Sequence, residues 1–159
     1  MIFKDQYGKE YEVDPNAVKI TWRIAAYGVV FNEKNEVLML QPKGTSHWQF
    51  PGGQIEINET VDEALKREFL EEVGYKIDLK NKELLFFNES NFRYSNSEDY
   101  FHSLQLVFKV HLENVHQYAE LIDHSEDNDE GEVSWKKIES LKQEDIQHTH
   151  WPVIKILQK

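Results

Sequence analysis

The segment Trp48–Tyr75, WQFPGGQIEINETVDEALKREFLEEVGY, constrains this chain more than any other stretch. It joins a Gly-rich loop (Pro51, Gly52, Gly53) to a helix that starts at Thr60 and stops at Gly74. Thr60 and Glu63 make a capping box, in which hydroxyl and carboxylate each satisfy a free backbone N–H. Val61, Leu65, Phe69 and Val73 recur every fourth residue, an apolar stripe that needs a core to bury it. Glu68, Glu71 and Glu72 fall off the stripe. With about 100° of rotation per residue, Glu72 lies about 40° round from Glu68, and Glu71 about 60° the other way. Three carboxylates then share one face with no lysine among them, and like charges so close repel. A divalent cation between them would relieve that repulsion. Gly52 and Gly53 allow positive φ or a close backbone approach, and Gly74 suits a helix C-cap.

Gly53, five residues, Glu59, seven residues, then Arg67-Glu68-Phe69-Leu70-Glu71-Glu72-Val73-Gly74-Tyr75 resembles the Nudix box. The fixed polar and glycine positions of that signature are all present. Phe69 and Tyr75 depart from it, being aromatic where an aliphatic residue is usual; both remain large and apolar, so the departure touches packing rather than chemistry. The resemblance implies a Nudix-type α/β/α sandwich around a central mixed β-sheet. It also implies a metal-dependent hydrolase that cleaves a phosphoanhydride in a nucleoside diphosphate linked to another group.

Such chemistry needs charge neutralised on the phosphate oxygens and a water activated for attack. Oxygen-ligated Mg²⁺ or Mn²⁺ supplies both. Glu68 and Glu72, one turn apart, are the first expected metal ligands, and Glu71 the next, as ligand or as base; Glu71 and Glu68 are the expected catalytic pair. From the resemblance come Glu56 as an upstream ligand and Gly53 as a backbone contact to metal. The same source gives Glu59 and Arg67 a structural ion pair that holds the carboxylate face.

Composition sets wide bounds. A chain of 159 residues, 40% hydrophobic and 13% aromatic, suits one domain, taken as 1–159. No apolar run nears the length of a membrane span, and no leader pattern opens the chain. With 0 cysteines, disulfides and thiol catalysis are excluded, and a reducing cytoplasm fits. A formal charge of -11 disfavours a nucleic-acid partner, which needs a basic footprint. A small-molecule nucleotide remains compatible if metal offsets the repulsion.

Around the box, residues 2–13 read as two strands turning at Tyr7-Gly8. A central strand is expected over 23–31, with 37–41 as its hairpin partner across an Asn-rich turn. Strands follow over 76–79, 83–88, 102–112 and 132–135, with a loop over 91–100. A helical turn over 138–141 and a helix over 149–157, with Pro152 in its first turn, close the chain. Between Glu120 and Glu132 lie seven acids and no lysine or arginine, an exposed loop. One of Glu126, Asp127, Asp129 or Glu130 could add a ligand there.

Substrate recognition is less legible. Arg23 is a phosphate-binding candidate or a surface ion-pair residue. Trp48 either stacks on a base or packs on the core. Phe92, Arg93 and Tyr94 fall in the expected post-box loop, either reading the leaving group or serving as ordinary loop residues. His148, His150 and Trp151 read as a packing cluster at a helix start, since zinc would need closer ligands.

Family subtypes are separated by motifs outside the box. Ser90 stands where ADP-ribose enzymes carry a proline, and the signatures of NADH and coenzyme A pyrophosphatases are absent. A MutT-like enzyme on nucleoside triphosphates or related nucleotides is the remaining expectation. The rival is a non-catalytic nucleotide sensor, which typically loses box glutamates that this chain keeps. An isopentenyl-diphosphate isomerase would need a cysteine. Homodimers are common in the family, and no interface is legible here.

Overall fold

The computed structural model describes residues 1–124 and 131–159. The acidic candidates Glu126, Asp127, Asp129 and Glu130 lie outside the described residues. Eight strands among the described residues are β1 (Ile2–Lys4), β2 (Glu10–Glu12), β3 (Ile20–Val29), β4 (Glu36–Gln41), β5 (Gly52–Gln54), β6 (Ile77–Arg93), β7 (Tyr100–Leu112) and β8 (Glu132–Lys137). The helices are α1 (Val61–Glu68) and α2 (Trp151–Leu157). Six strands form a mixed sheet in the order β2-β1-β6-β7-β3-β5, and β4 pairs with β8 in a second, two-stranded sheet. Parallel pairing of β3 with β7 and antiparallel pairing of β6 with β7 make the large sheet mixed.

Period two along β3 explains why both faces are covered. Ala25, Tyr27 and Val29 pack with Phe50, Val107, Val153 and Ile154, which puts α2 on that side. Ala26 and Val30 pack with Leu65, Phe69 and Val73 of the box helix on the other. Strand β4 divides the same way, with Val37 and Met39 in the first cluster and Leu38 and Leu40 in the second. An unbroken apolar run is what a strand buried on both faces requires. The result is an α/β sandwich with one helix on each side.

Several expectations are corrected. The two strands expected after the box are one strand, β6, kept continuous by register shifts between Asp78 and Glu83 and between Leu84 and Phe86. Bulges absorb the polar residues that read as a break. Strand β6 runs on through Asn91, Phe92 and Arg93, so the loop expected from 91 begins after Arg93. The central strand starts at Ile20 and not at Arg23. Strands β3 and β4 meet through a turn and a single bridge, Phe31 to Val37, then diverge into different sheets. β4 takes β8 as its ladder partner instead.

The box helix is also not one regular helix. After Glu68 it widens into a π-helical segment over Phe69–Val73, ending on Gly74 in the left-handed region at φ 69. Wider hydrogen bonding slows the rotation per residue, so the angles expected for Glu71 and Glu72 do not hold. Among the described residues no helix is long and apolar enough to cross a membrane.

Candidate active site

Beside β3 lies a cleft of about 310 Å³ lined by Arg23, Tyr27, Gly52, Gly53, Glu68, Glu72, Phe92 and Tyr94, with four glutamines also in its lining. The Gly-rich loop reaches it because β5 pairs antiparallel with β3, setting Gly53 opposite Ala26 and Gly52 opposite Tyr27. Gly52 sits at φ 134, and a Cβ there would lie 2.2 Å from the carbonyl oxygen of Ala26. Only glycine fits so close an approach. Its N–H donates to Glu72 Oε2 at 2.7 Å, which fixes that carboxylate against the loop. The Glu68 carboxylate lies against Gly53, where a Cβ would meet Oε1 at 2.6 Å.

The N-terminal half of the box supplies the frame. Thr60 and Glu63 close the capping box as the sequence dictates. Arg67 then spans loop and helix: Nε pairs with Glu59 Oε1 at 2.6 Å, and one terminal nitrogen donates to Glu59 Oε2 at 2.9 Å and to Gln54 O at 3.2 Å. Its other terminal nitrogen lies 3.0 Å from Glu68 and 3.3 Å from Glu71. Two parallel bonds of this kind give orientation as well as attraction. They hold the Glu59 carboxyl down at about 2.

Electrostatics differ between the carboxylates. Burial pushes the Glu68 carboxyl above its ordinary range; Arg67 pulls against that, and Glu71 adds to it. Glu72 is 8% exposed, and its loop contact keeps it facing the cleft. Opposite stands Arg23, also 8% exposed, lining the cleft beside Tyr27 and with no carboxylate in ion-pair contact among the described residues. Burial opposes its charge, but Tyr27, Tyr94 and Glu68 more than offset this and raise its pKa. A guanidinium stays charged in any protein setting, so the cleft holds a fixed buried cation facing buried Glu72 and half-buried Glu68.

The structure therefore brings Glu68, Glu72, Gly52, Gly53 and Arg23 to one cleft. It places Glu71 on Arg67, 37% exposed in its side chain, and Glu56 exposed in the loop; neither lines the cleft. Trp48 does not line it either: its ring packs beside the α2 core and carries the Lys136 ammonium 3.8 Å from its centroid. Phe92 and Tyr94 do line the cleft, whereas the Arg93 guanidinium stacks on Tyr11, 4.2 Å from its centroid. His150 is fully buried, stacked on Phe50, with Nδ1 accepting from the Phe50 N–H at 3.0 Å.

Tyr27, Gln49, Gln105 and Gln147 went unseen in the sequence. Tyr27 had a readable signal, since it lies four residues after Arg23 and shares its strand face. The glutamines had none, because long-range pairing alone brings them in.

Among the described residues, no three carboxylate or histidine groups converge closely enough to hold a metal by themselves. One buried and one half-buried carboxylate, a close glycine backbone and a buried arginine thus meet in one cleft of an α/β sandwich. A sequence model of the NUDIX domain matches residues 21–157. The chain belongs to the Nudix family, whose members generally use divalent metal cations.

Curated relatives match over part of the chain. The chain is 43% identical over 56 residues to an 8-oxo-dGTP diphosphatase of Proteus vulgaris, covering 33% of this chain and 50% of that protein. It is 38% identical over 66 residues to an RNA pyrophosphohydrolase of Pasteurella multocida, covering 42% and 32%. The chain thus spans half or less of the length of these curated relatives. The crystal structure of a MutT Nudix hydrolase from Burkholderia pseudomallei matches with TM-score 0.64 and 17% identity, covering 87% of this chain and 98% of that one. That likeness is one of fold.

Proposed function

We propose that this chain hydrolyses a phosphoanhydride bond in a nucleoside diphosphate linked to another group, with nucleoside triphosphates and related nucleotides as its substrate class. The observation that carries this is the cleft itself, where half-buried Glu68 and buried Glu72 face buried Arg23 across a space of about 310 Å³. That volume is within the range of small-ligand sites. A net charge of -11 makes an unassisted polyphosphate unwelcome, so the fixed cation at Arg23 and a metal have to offset the repulsion.

The donors suit Mg²⁺ or Mn²⁺. Such ions take hard oxygen ligands, and Mg²⁺ in particular uses one or two carboxylates and fills its sphere with phosphate oxygens and water. Glu68 and Glu72, with the Gly53 backbone beside them, are the residues that would hold it; Glu71 and Glu56 stand next to this pair as further candidates. When bound, the ion neutralises phosphate charge and acidifies a coordinated water.

The chain's own residues supply the rest. Arg23 binds and orients phosphate oxygens. Water's oxygen forms the new bond to phosphorus, the bridging oxygen leaves with its electron pair, and a carboxylate takes the proton. Glu68 and Glu71 are the candidates for that role, and burial raises the proton affinity of Glu68. Arg67 and Glu59 position the carboxylates without touching substrate.

A screen of phosphate and pyrophosphate release over a nucleotide panel, with Mg²⁺, Mn²⁺ or chelator, tests the reading. Release that needs metal and falls by orders of magnitude in Glu68→Gln and Glu72→Gln, with melting temperatures kept, supports it. Near-wild-type rates in both variants remove these residues from the site. Tight binding without turnover across the panel replaces the hydrolase with a nucleotide sensor.

A further inference from the structure

Four glutamines line the cleft: Gln6, Gln49, Gln105 and Gln147. An amide buried near a ligand site is informative only if its hydrogen bonds are not already spent inside the protein. Two are spent. Gln6 donates to Ser95 Oγ at 2.8 Å and accepts from the Ser95 N–H at 3.0 Å. Gln105 donates to Thr149 Oγ1 and accepts from Asn88 Nδ2, both at 3.2 Å.

Gln147 differs. It is 9% exposed, and its amide oxygen is buried without a partner among the described residues. A buried acceptor left unsatisfied is costly, and its persistence in a cleft points to a donor delivered by a ligand. Nor does the Gln49 side chain have a partner among the described residues, and it is the neighbour of Gln147. Trp48 bridges in parallel to Ile146, and the Gln147 N–H donates to the Trp48 carbonyl at 2.9 Å. Each glutamine follows one half of that bridge, so the two side chains project from adjacent chains into one cleft. Beside them Phe92 and Tyr94 meet edge to face, centroids 5.0 Å apart, and Tyr94 keeps 38% of its surface exposed. An open aromatic face next to unspent amides suits a flat ring with polar edges.

Resting on the hydrolase reading above, we propose that Gln147, with Gln49 beside it, is the specificity-determining residue of the site. It reads a nucleobase edge on which an N–H donor adjoins an acceptor. The ring lies against Tyr94, and the phosphates run toward Arg23 and the carboxylates.

An amide offers one acceptor and one donor, and pairs bidentately with an adenine edge. A carboxylate offers acceptors only. Gln147→Glu can therefore accept from both N1–H and N2–H₂ of guanine, which are adjacent donors, and loses one bond to adenine, where it finds a single donor beside an acceptor.

The test measures kcat/KM for dATP and dGTP with Mg²⁺ in wild type, Gln147→Glu and Gln147→Asn, with Kd for non-hydrolysable α,β-methylene analogues of both measured in parallel. The expected result is a shift of the guanine-to-adenine ratio by about tenfold in Gln147→Glu. Gln147→Asn, which keeps the amide on a shorter arm, weakens both bases together and holds the ratio. An unchanged ratio in a folded, active Gln147→Glu overturns the proposal while leaving the hydrolase intact. Should wild type bind the analogues without turnover, the shift in their Kd ratio decides the base-reading role alone, and the hydrolase reading falls by itself. Failure of wild type to bind either analogue overturns both. If Gln147→Glu does not fold, Gln147→Asn and Gln49→Ala decide, since affinity unchanged in both removes the amides from the site.

Discussion

Phe69 occupies the space that Gly28 leaves open on β3. A Cβ at Gly28 would lie 2.4 Å from Cε2 and 2.6 Å from Cζ of the Phe69 ring. The box position where an aliphatic residue is usual thus carries an aromatic here because the facing strand carries no side chain. Phe69 is fully buried and cannot swing away. Gly28→Ala should destabilise the fold by roughly 1–3 kcal/mol through overpacking. Shortening the ring with Phe69→Leu in the Gly28→Ala background should recover part of that loss. Urea titrations of the four proteins in a double-mutant cycle measure the coupling; strictly additive effects would separate the two residues.

Glu59 holds Arg67 by two bonds, and Arg67 in turn lies 3.0 Å from Glu68. Glu59→Gln removes the charge from this frame and should cost roughly 1.5–3 kcal/mol of stability. It should also lower kcat with KM nearly unchanged, since Glu68 loses its positioning and no substrate contact is lost. The pair carries a pH signature. With the folded pKa held at about 2 against an ordinary 4.5, its stability is full above 4.5 and drains as pH falls toward 2. Acid titration by circular dichroism should show a shallower loss in Glu59→Gln over that window.

How much of this was readable in advance depends on the range of the interaction that fixes each part. The capping box and the turn at Gly74 are local, and residue spacing reached them, whereas the Arg67–Glu59 pairing was expected only from the resemblance to the Nudix box. The identity of β4's partner did not follow from its neighbours, because β8 lies about a hundred residues away in sequence and only the sheet brings it in. Likewise Gln147 enters the cleft through the Trp48–Ile146 bridge, which no local pattern encodes. Spacing put Glu71 on one face with Glu68, and the two carboxylates do share one Arg67 nitrogen, at 3.3 and 3.0 Å, but it did not foresee the π-helical segment over Phe69–Val73. Regular rotation is a fair assumption until buried side chains such as Phe69 impose their own register.

Divalent ions should stabilise the fold if Glu68 and Glu72 grip them. A ligand that binds only the native state adds about 2.7 kcal/mol at a hundred times its dissociation constant. Thermal midpoints in rising Mg²⁺ or Mn²⁺ should therefore climb in wild type and stay flat in the Glu68→Gln, Glu72→Gln double variant. Calcium and monovalent controls separate specific binding from simple relief of the -11 charge. Equal rises in both proteins would place the bound ion elsewhere.

His150 sets the acid limit from inside the core. Its ring is fully buried, held edge-on to Tyr27 at 4.4 Å, and burial together with the Arg23 charge pushes its pKa down to about 3. The unfolded chain takes a proton on this ring near 6.5. Below that value the unfolded state binds a proton that the native state refuses, so stability falls as pH drops. The contribution is complete above about 6.5 and is lost at about 1.4 kcal/mol per pH unit down to about 3. His150→Gln keeps an acceptor for the Phe50 N–H and has nothing to titrate. Urea midpoints measured from pH 4 to pH 8 should slope for the wild type and flatten for this variant below about 6.5. Parallel slopes would mean that other groups carry the acid sensitivity.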